Sequence, residues 1–202
     1  MTTVAEILKN NHKRYEKIKY IENQSKLLND INIDLTDIED AKLYYLLSSD
    51  FSAQKKAPMG EKFLCKKLHL QSIPSSENNG DAKDSNGKIY EFKNSFTNQQ
   101  QNLNIRQIRL WQNIDFYYCF YINEDDLDKS LFFVLTKEQM EKEVILCGSY
   151  THGVTSINEE NKYNEYSITI PIYNTLNEKT KRWKELYLSE SLKQQIFGDK
   201  KL

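Results

Sequence analysis

The chain is short of the residues that usually announce a chemistry. It has three cysteines in 202 residues. Cys65, Cys119 and Cys147 lie far apart among apolar neighbours, at no metal-ligand spacing, so a disulfide scaffold and a cysteine-held metal are both excluded and reduced core residues in a cytoplasmic protein are expected. Histidines also number three. His12 and His69 read as ordinary helix residues, and nothing near His152 builds a histidine-metal finger. No apolar leader follows Met1, so no signal peptide is expected. No run nears the ~18 apolar residues that cross a bilayer. Charge of one sign is missing too. The net charge is −1, which rules out a polycation but leaves room for local basic faces such as Arg106/Arg109. Glycine is down to six residues, while Lys, Asn, Ile and Tyr are abundant, a bias of an AT-rich genome that weakens any argument from the thirteen tyrosines.

What remains is a chain with 39% hydrophobic and 28% charged residues, enough for one cored domain over 1–202 with a highly charged surface. Helical spacing of Ile7, Leu8, Tyr15, Ile18, Ile21 and Leu28, then a capping box at Thr36–Glu39, predicts a helical N-terminal part over 1–50. A helix follows from about Pro58 or Gly60 to Leu70, with Glu61, Cys65 and Leu68 on one face. Glu61 thus tends inward, an unusual place for a carboxylate without a partner. A core over 58–172 then reads as hairpin, a short helix at 105–112, a central strand at 115–122, a strand at 131–135, a helix from the capping box Thr136–Gln139, and a strand at 166–170 ended or edged by Pro171. A single closing helix is expected over 178–196, within a C-terminal part 173–202. Trp111 and Trp183 are expected in the core or an interface. The order fits an α/β fold: a central mixed β-sheet flanked by helices.

The hairpin is the richest segment. Asp84-Ser85-Asn86-Gly87 is a turn, and Ile89 to Asn94 alternates as a strand. Glu91 and Lys93 share one face, Tyr90 and Phe92 the other. Folding back across the turn brings Asp81 roughly opposite Tyr90 and Glu91. Two carboxylates and one ammonium then converge. Mg²⁺ favours one or two protein carboxylates with water and phosphate completing its shell, so Asp81, Glu91 and the Phe92 carbonyl are candidate metal ligands. Lys93 could orient an attacking water or stabilise a charged transition state. Glu61 could hold a second cation. Asp84 lies too near Lys88 in register to reach Glu91 and is expected to accept turn hydrogen bonds. An EF-hand is excluded: with Gly87 as its sixth residue, Ala82 and Lys93 would fall at the first and twelfth positions.

Gly80-Asp81, a nine-residue gap and Glu91-Phe92-Lys93 resemble the PD-(D/E)xK nuclease motif, with glycine in place of proline, an exchange expected to leave the backbone unaffected. Gly60-Glu61 resembles the extra acidic residue of many such enzymes. Asn104–Gln112 followed by Asp115–Tyr118 looks like the segment after the catalytic strand in bacterial type II restriction endonucleases. The resemblance covers about 58–140. It implies Mg²⁺-dependent cleavage of duplex DNA, with Mn²⁺ able to substitute, leaving 5′-phosphates and 3′-hydroxyls. It also implies a homodimer on a short palindrome, in the bacterial cytoplasm beside a companion DNA methyltransferase. Asp81 and Glu91 would be metal ligands, Lys93 the catalytic lysine and Glu61 an auxiliary acid. Asn94, Asn98, Gln99, Asn104, Arg106, Gln107, Arg109 and His152 are candidate DNA contacts, since Arg and Gln can read guanine and adenine edges. Two alternatives stand beside this reading. One is a junction-resolving, transposition or repair nuclease, and the other a non-catalytic interaction module in which Glu91 and Lys93 are only a charged face.

Overall fold

The computed structural model describes residues 53–74, 77, 79–96, 100–123, 126–150 and 165–197. The expected N-terminal helices, and Asn98, Gln99, His12 and His152, lie outside these. Helix α1 (Ala53–Lys67) carries Pro58 within it. His69 follows the helix in left-handed backbone at φ 54°, not inside the helix as expected. Short strands β1 (Gln71–Ser72) and β2 (Ala82–Lys83) pair with each other, and β2 pairs with β3 (Ile89–Phe96). The segment between α1 and β2 thus opens with a short strand.

Strand β5 (Phe116–Ile122) runs parallel to β3 and antiparallel to β6 (Leu131–Thr136), giving the order β1-β2-β3-β5-β6. The mixed α/β architecture is as the sequence indicates. β5 is interior because its side chains are apolar or aromatic on both faces. One face packs Phe92, Phe120 and Phe132 against Phe63 and Leu64 of α1 and Leu192, Ile196 and Phe197 near the C-terminus. The other packs Tyr117, Cys119, Tyr121 and Phe133 onto a second apolar cluster.

A separate antiparallel sheet, β4 (Leu103–Ile108), β8 (Tyr166–Ile170) and β7 (Ser149–Tyr150), in the order β4-β8-β7, supplies Leu103, Ile105, Ile108, Tyr166, Ile168 and Ile170 to that second cluster. β4 replaces the short helix expected at 105–112. Ile105 and Ile108 are three apart, a helical spacing, but a β-bulge between them shifts the side-chain phase and keeps both buried. β8 ends before Pro171 and sits between its neighbours, so the proline marks the strand's end and not an edge.

Helix α2 (Lys137–Cys147) starts on the expected capping box, with Gln139 N–H donating to Thr136 Oγ1 at 3.3 Å and Thr136 N–H to Gln139 Oε1 at 2.8 Å. The single closing helix is in fact two, α3 (Glu178–Leu186) and α4 (Glu190–Phe197). Between them the chain docks on β6. Val134 N–H donates to Tyr187 O, Ser189 N–H donates to Phe132 O, and Ser189 Oγ then accepts from Leu192 N–H at the start of α4. A serine able to cap a new helix ends the old one. Trp183 is fully buried, whereas Trp111 is 38% exposed and so is not a core residue. Cys65 and Cys119 are buried and unpaired, and Cys147 is partly buried and unpaired. Among the described residues no helix is long and apolar enough to cross a membrane.

Candidate active site

The turn Asp84–Gly87 closes as its residues dictate. Asp84 Oδ1 accepts from the N–H groups of Asn86 and Lys88, both at 2.9 Å, and Oδ2 from the Tyr90 hydroxyl at 3.1 Å. Asp84 is thus a turn residue and not a ligand. The register Ala82 to Tyr90 sets Asp81 against Glu91. Asp81 N–H donates to Tyr90 O at 2.8 Å, and the Phe92 N–H donates to Asp81 Oδ2 at 2.7 Å. The Asp81 carboxylate thereby takes the donor that a longer β2 would have satisfied with a backbone carbonyl. N–H and C=O of one strand residue point to the same side, so the Phe92 carbonyl opens beside Asp81.

Gly80 makes this crossing possible. Its φ is +76°, and a Cβ there would meet Ile89 Cγ2 at 2.7 Å and Tyr90 O at 2.9 Å. Proline, fixed near −65°, cannot adopt that angle. The glycine-for-proline exchange therefore does change the backbone, contrary to expectation.

Glu91 and Lys93 point to one side, as alternation requires. Lys93 Nζ donates to Glu91 Oε1 at 2.5 Å, and the pair keeps only 9% and 11% of its side-chain surface. Lys93 also donates to the Gln107 carbonyl at 3.0 Å. Gln107 stands in left-handed backbone, φ 54°, within the β4 bulge. This second anchor had no signal in the sequence, because it is a backbone oxygen displayed by a bulge on another sheet.

Electrostatics tie four groups together. Burial, then the Glu91 charge, pushes the Asp81 carboxyl up to about 7 against the lowering effect of the Phe92 N–H; Glu61 raises it further and Lys93 opposes. Burial, then Glu91, also raises Glu61, with Lys93 opposing. Burial, then Asp81 and Glu61, raises the Cys65 thiol to about 11. The inward tendency of Glu61 on α1 is thus realised. Three carboxylates act on one another with one ammonium among them, so the cluster is short of positive charge.

The residues fit a hard cation in donor type. Asp81, Glu91 and the Phe92 carbonyl are all oxygen donors, and Mg²⁺ needs only one or two protein carboxylates. As the side chains stand, no three His, Cys, Asp or Glu among the described residues are gathered tightly enough to hold an ion by themselves. A further polar group adjoins the cluster. Tyr117, the β5 partner of Glu91, is fully buried and its hydroxyl has no hydrogen-bond partner among the described residues. Leaving such a hydroxyl unsatisfied costs about 1–3 kcal/mol.

The candidate DNA contacts separate. Asn94 lies on the Phe92 side of β3, where a Cβ on Gly60 of α1 would come within 3.5 Å of its amide nitrogen, so it faces a helix and not a groove. Asn104 Oδ1 accepts from Thr169 Oγ1 at 3.0 Å, and Arg109 Nε pairs with Glu165 Oε1 at 2.7 Å. These three side chains are turned to partners inside the molecule. Arg106 and Gln107 are exposed. No family model matches the chain, and no curated protein sequence matches it.

Proposed function

We propose that this chain is a Mg²⁺-dependent endonuclease cutting duplex DNA at specific sites, of the type II restriction kind. The observation that carries the reading is the hairpin constellation. Asp81 and Glu91 meet across a short antiparallel crossing, and Lys93 lies on the Glu91 face with its ammonium fixed by two acceptors.

The cation's chemistry would be to neutralise charge growing on a phosphate oxygen and to make a water more acidic. The residues' own work follows from their positions. Asp81 and Glu91, with the Phe92 carbonyl, would hold the cation at the start of β2. Lys93, anchored by the Gln107 carbonyl, presents an ammonium toward the incoming phosphate and orients a water or steadies developing negative charge. Glu61 keeps a third carboxylate nearby, able to orient a second water. Among the described candidates, Arg106 and Gln107, exposed on the same bulge, are the side chains best placed to meet DNA. A homodimer acting on a palindrome, with a companion methyltransferase protecting host sites, completes this reading.

The test is a digest of sequenced duplex DNA with Mg²⁺, expected to give discrete fragments with 5′-phosphates. Lys93→Ala is expected to lose cleavage by about 10²–10⁴-fold while keeping DNA binding in a gel-shift assay. Undiminished cleavage in that variant would remove the assigned mechanism.

One observation favours a second reading, a non-catalytic interaction module: Glu91 and Lys93 already neutralise each other and are nearly buried. Calorimetry separates the two. An absence of heat from Mn²⁺ or Mg²⁺ at millimolar concentration, with and without DNA, favours the module.

A further inference from the structure

The Tyr117 hydroxyl is a buried donor with no acceptor among the described residues, on the strand position paired with Glu91 of the proposed site. Three observations define it. Tyr117 is the Cα partner of Glu91 in the parallel β3–β5 pair, so both side chains leave the sheet on the same side. Its side chain is 0% exposed and its hydroxyl has no hydrogen-bond partner among the described residues. After burial itself, the Glu91 charge bears on the phenol most strongly, ahead of Cys119 and Glu141.

Glu91 is meanwhile held by the Lys93 ammonium. Under the nuclease reading, on which this inference rests, that ammonium is required at the phosphate. A carboxylate that binds a cation needs a hydrogen bond on its other side to fix its orientation. We propose that Tyr117 is the positioning residue for Glu91: when a divalent cation joins Asp81 and Glu91, the Glu91 carboxylate turns so that the Tyr117 hydroxyl donates to its oxygen away from the cation. Lys93 is thereby freed from Glu91, while the Gln107 carbonyl still tethers it. The orphan hydroxyl and the closed ion pair are two aspects of one resting arrangement. No covalent bond is made or broken: the carboxylates coordinate the cation, the Lys93–Glu91 ion pair opens and the Tyr117 hydroxyl takes its place on Glu91.

Tyr117→Phe removes the hydroxyl and nothing else. Two readouts are needed, Mn²⁺ affinity by calorimetry and the melting temperature without divalent cation. The expected result is Mn²⁺ binding weakened about tenfold or more, with a cation-free melting temperature no lower than wild type, because an unsatisfied group has been removed. A merely structural tyrosine would lower both. Protein carrying ¹³Cζ-labelled tyrosine gives a further readout: the Tyr117 resonance, assigned as the one of thirteen missing from labelled Tyr117→Phe, is expected to shift in wild type on adding Mg²⁺. If wild type binds Mn²⁺ and Tyr117→Phe binds it equally, or if the resonance does not move, the role of Tyr117 is overturned and the nuclease reading stands. If wild type binds no divalent cation, both fall together.

Discussion

Glu143 and Asp81 are carboxylates withdrawn from water in the same molecule, and they are held in opposite ways. Glu143, on α2 and 1% exposed, accepts from Arg182 Nε at 2.8 Å and Nη2 at 2.7 Å, from Trp183 Nε1 at 2.7 Å and from the Tyr187 hydroxyl at 3.0 Å. Burial would raise its carboxyl, but these hydrogen bonds overcome that and hold it below the usual range. Asp81 has one backbone donor and two carboxylate neighbours, and its carboxyl is driven up. A carboxylate with a guanidinium fork, an indole and a phenol around it is finished; its job is to join α2 to α3. A carboxylate left among others of its own sign is unfinished, and the missing positive charge is what a ligand would bring.

The comparison can be broken at several points. The largest effect is expected from Asp81→Asn. Cleavage should fall by at least about 10³-fold, yet the protein should melt higher than wild type at neutral pH, since a crowded charge has gone. A clear loss of stability would make Asp81 a structural residue like Glu143. Next comes Glu143→Gln, expected to destabilise by about 3 kcal/mol in denaturant unfolding, because the Arg182 fork loses its anion in a buried setting. A loss below about 1 kcal/mol would show the clamp to be ornamental.

A smaller effect tests the same contrast through pH. Asp81 has its folded value raised to about 7 above an unfolded value near 4, so the native state holds a proton that the unfolded chain releases. Its contribution is therefore full below about pH 4 and is lost as pH rises to about 7. Glu143, lowered on folding, has the opposite sign: its contribution is lost as pH falls through the acid range. The melting-temperature gap between Asp81→Asn and wild type should accordingly widen from about pH 4 to about pH 7 and then level off. A constant gap across that window would refute the crowded-charge account. The smallest effect sharpens the Lys93 anchor. Gln107→Gly relieves a non-glycine residue at φ 54° and should be neutral to about 1 kcal/mol stabilising in unfolding. A loss of stability would mean the Gln107 side chain, and not only its carbonyl, holds the bulge.

How much of this could be read beforehand followed the range of the interaction involved. The hairpin, its turn at Asp84–Gly87, the shared face of Glu91 and Lys93 and the Thr136 capping box are set by residues within a few positions of each other, and all were legible. β4 was not, because a bulge imposes a three-residue spacing on a strand and so imitates a helix. The break between α3 and α4 was hidden as well: it exists because Tyr187 and Ser189 bond to β6, some fifty residues earlier in the chain. Part of the site lay beyond pattern for the same reason. Gln107 stood among the DNA-contact candidates for its side chain, while its backbone oxygen turned out to meet Lys93. Tyr117 looked like one more aromatic on a central strand. Arg109 and Asn104 looked free to meet a groove until Glu165 and Thr169, about sixty residues away, arrived beside them.

The Lys93 anchor has a consequence for when the site can exist. Its carbonyl is displayed by β4, and β4 is paired only with β8, residues 166–170, among the described strands. During synthesis the hairpin can close as soon as residue 96 has emerged. The lysine's tether cannot be set until some seventy further residues have followed. A nascent or truncated chain ending before Tyr166 would hold Asp81, Glu91 and Lys93 on the hairpin but leave the lysine without its Gln107 tether. The lysine's second anchor is thus set only after β8 has been made, well after the hairpin that carries the lysine.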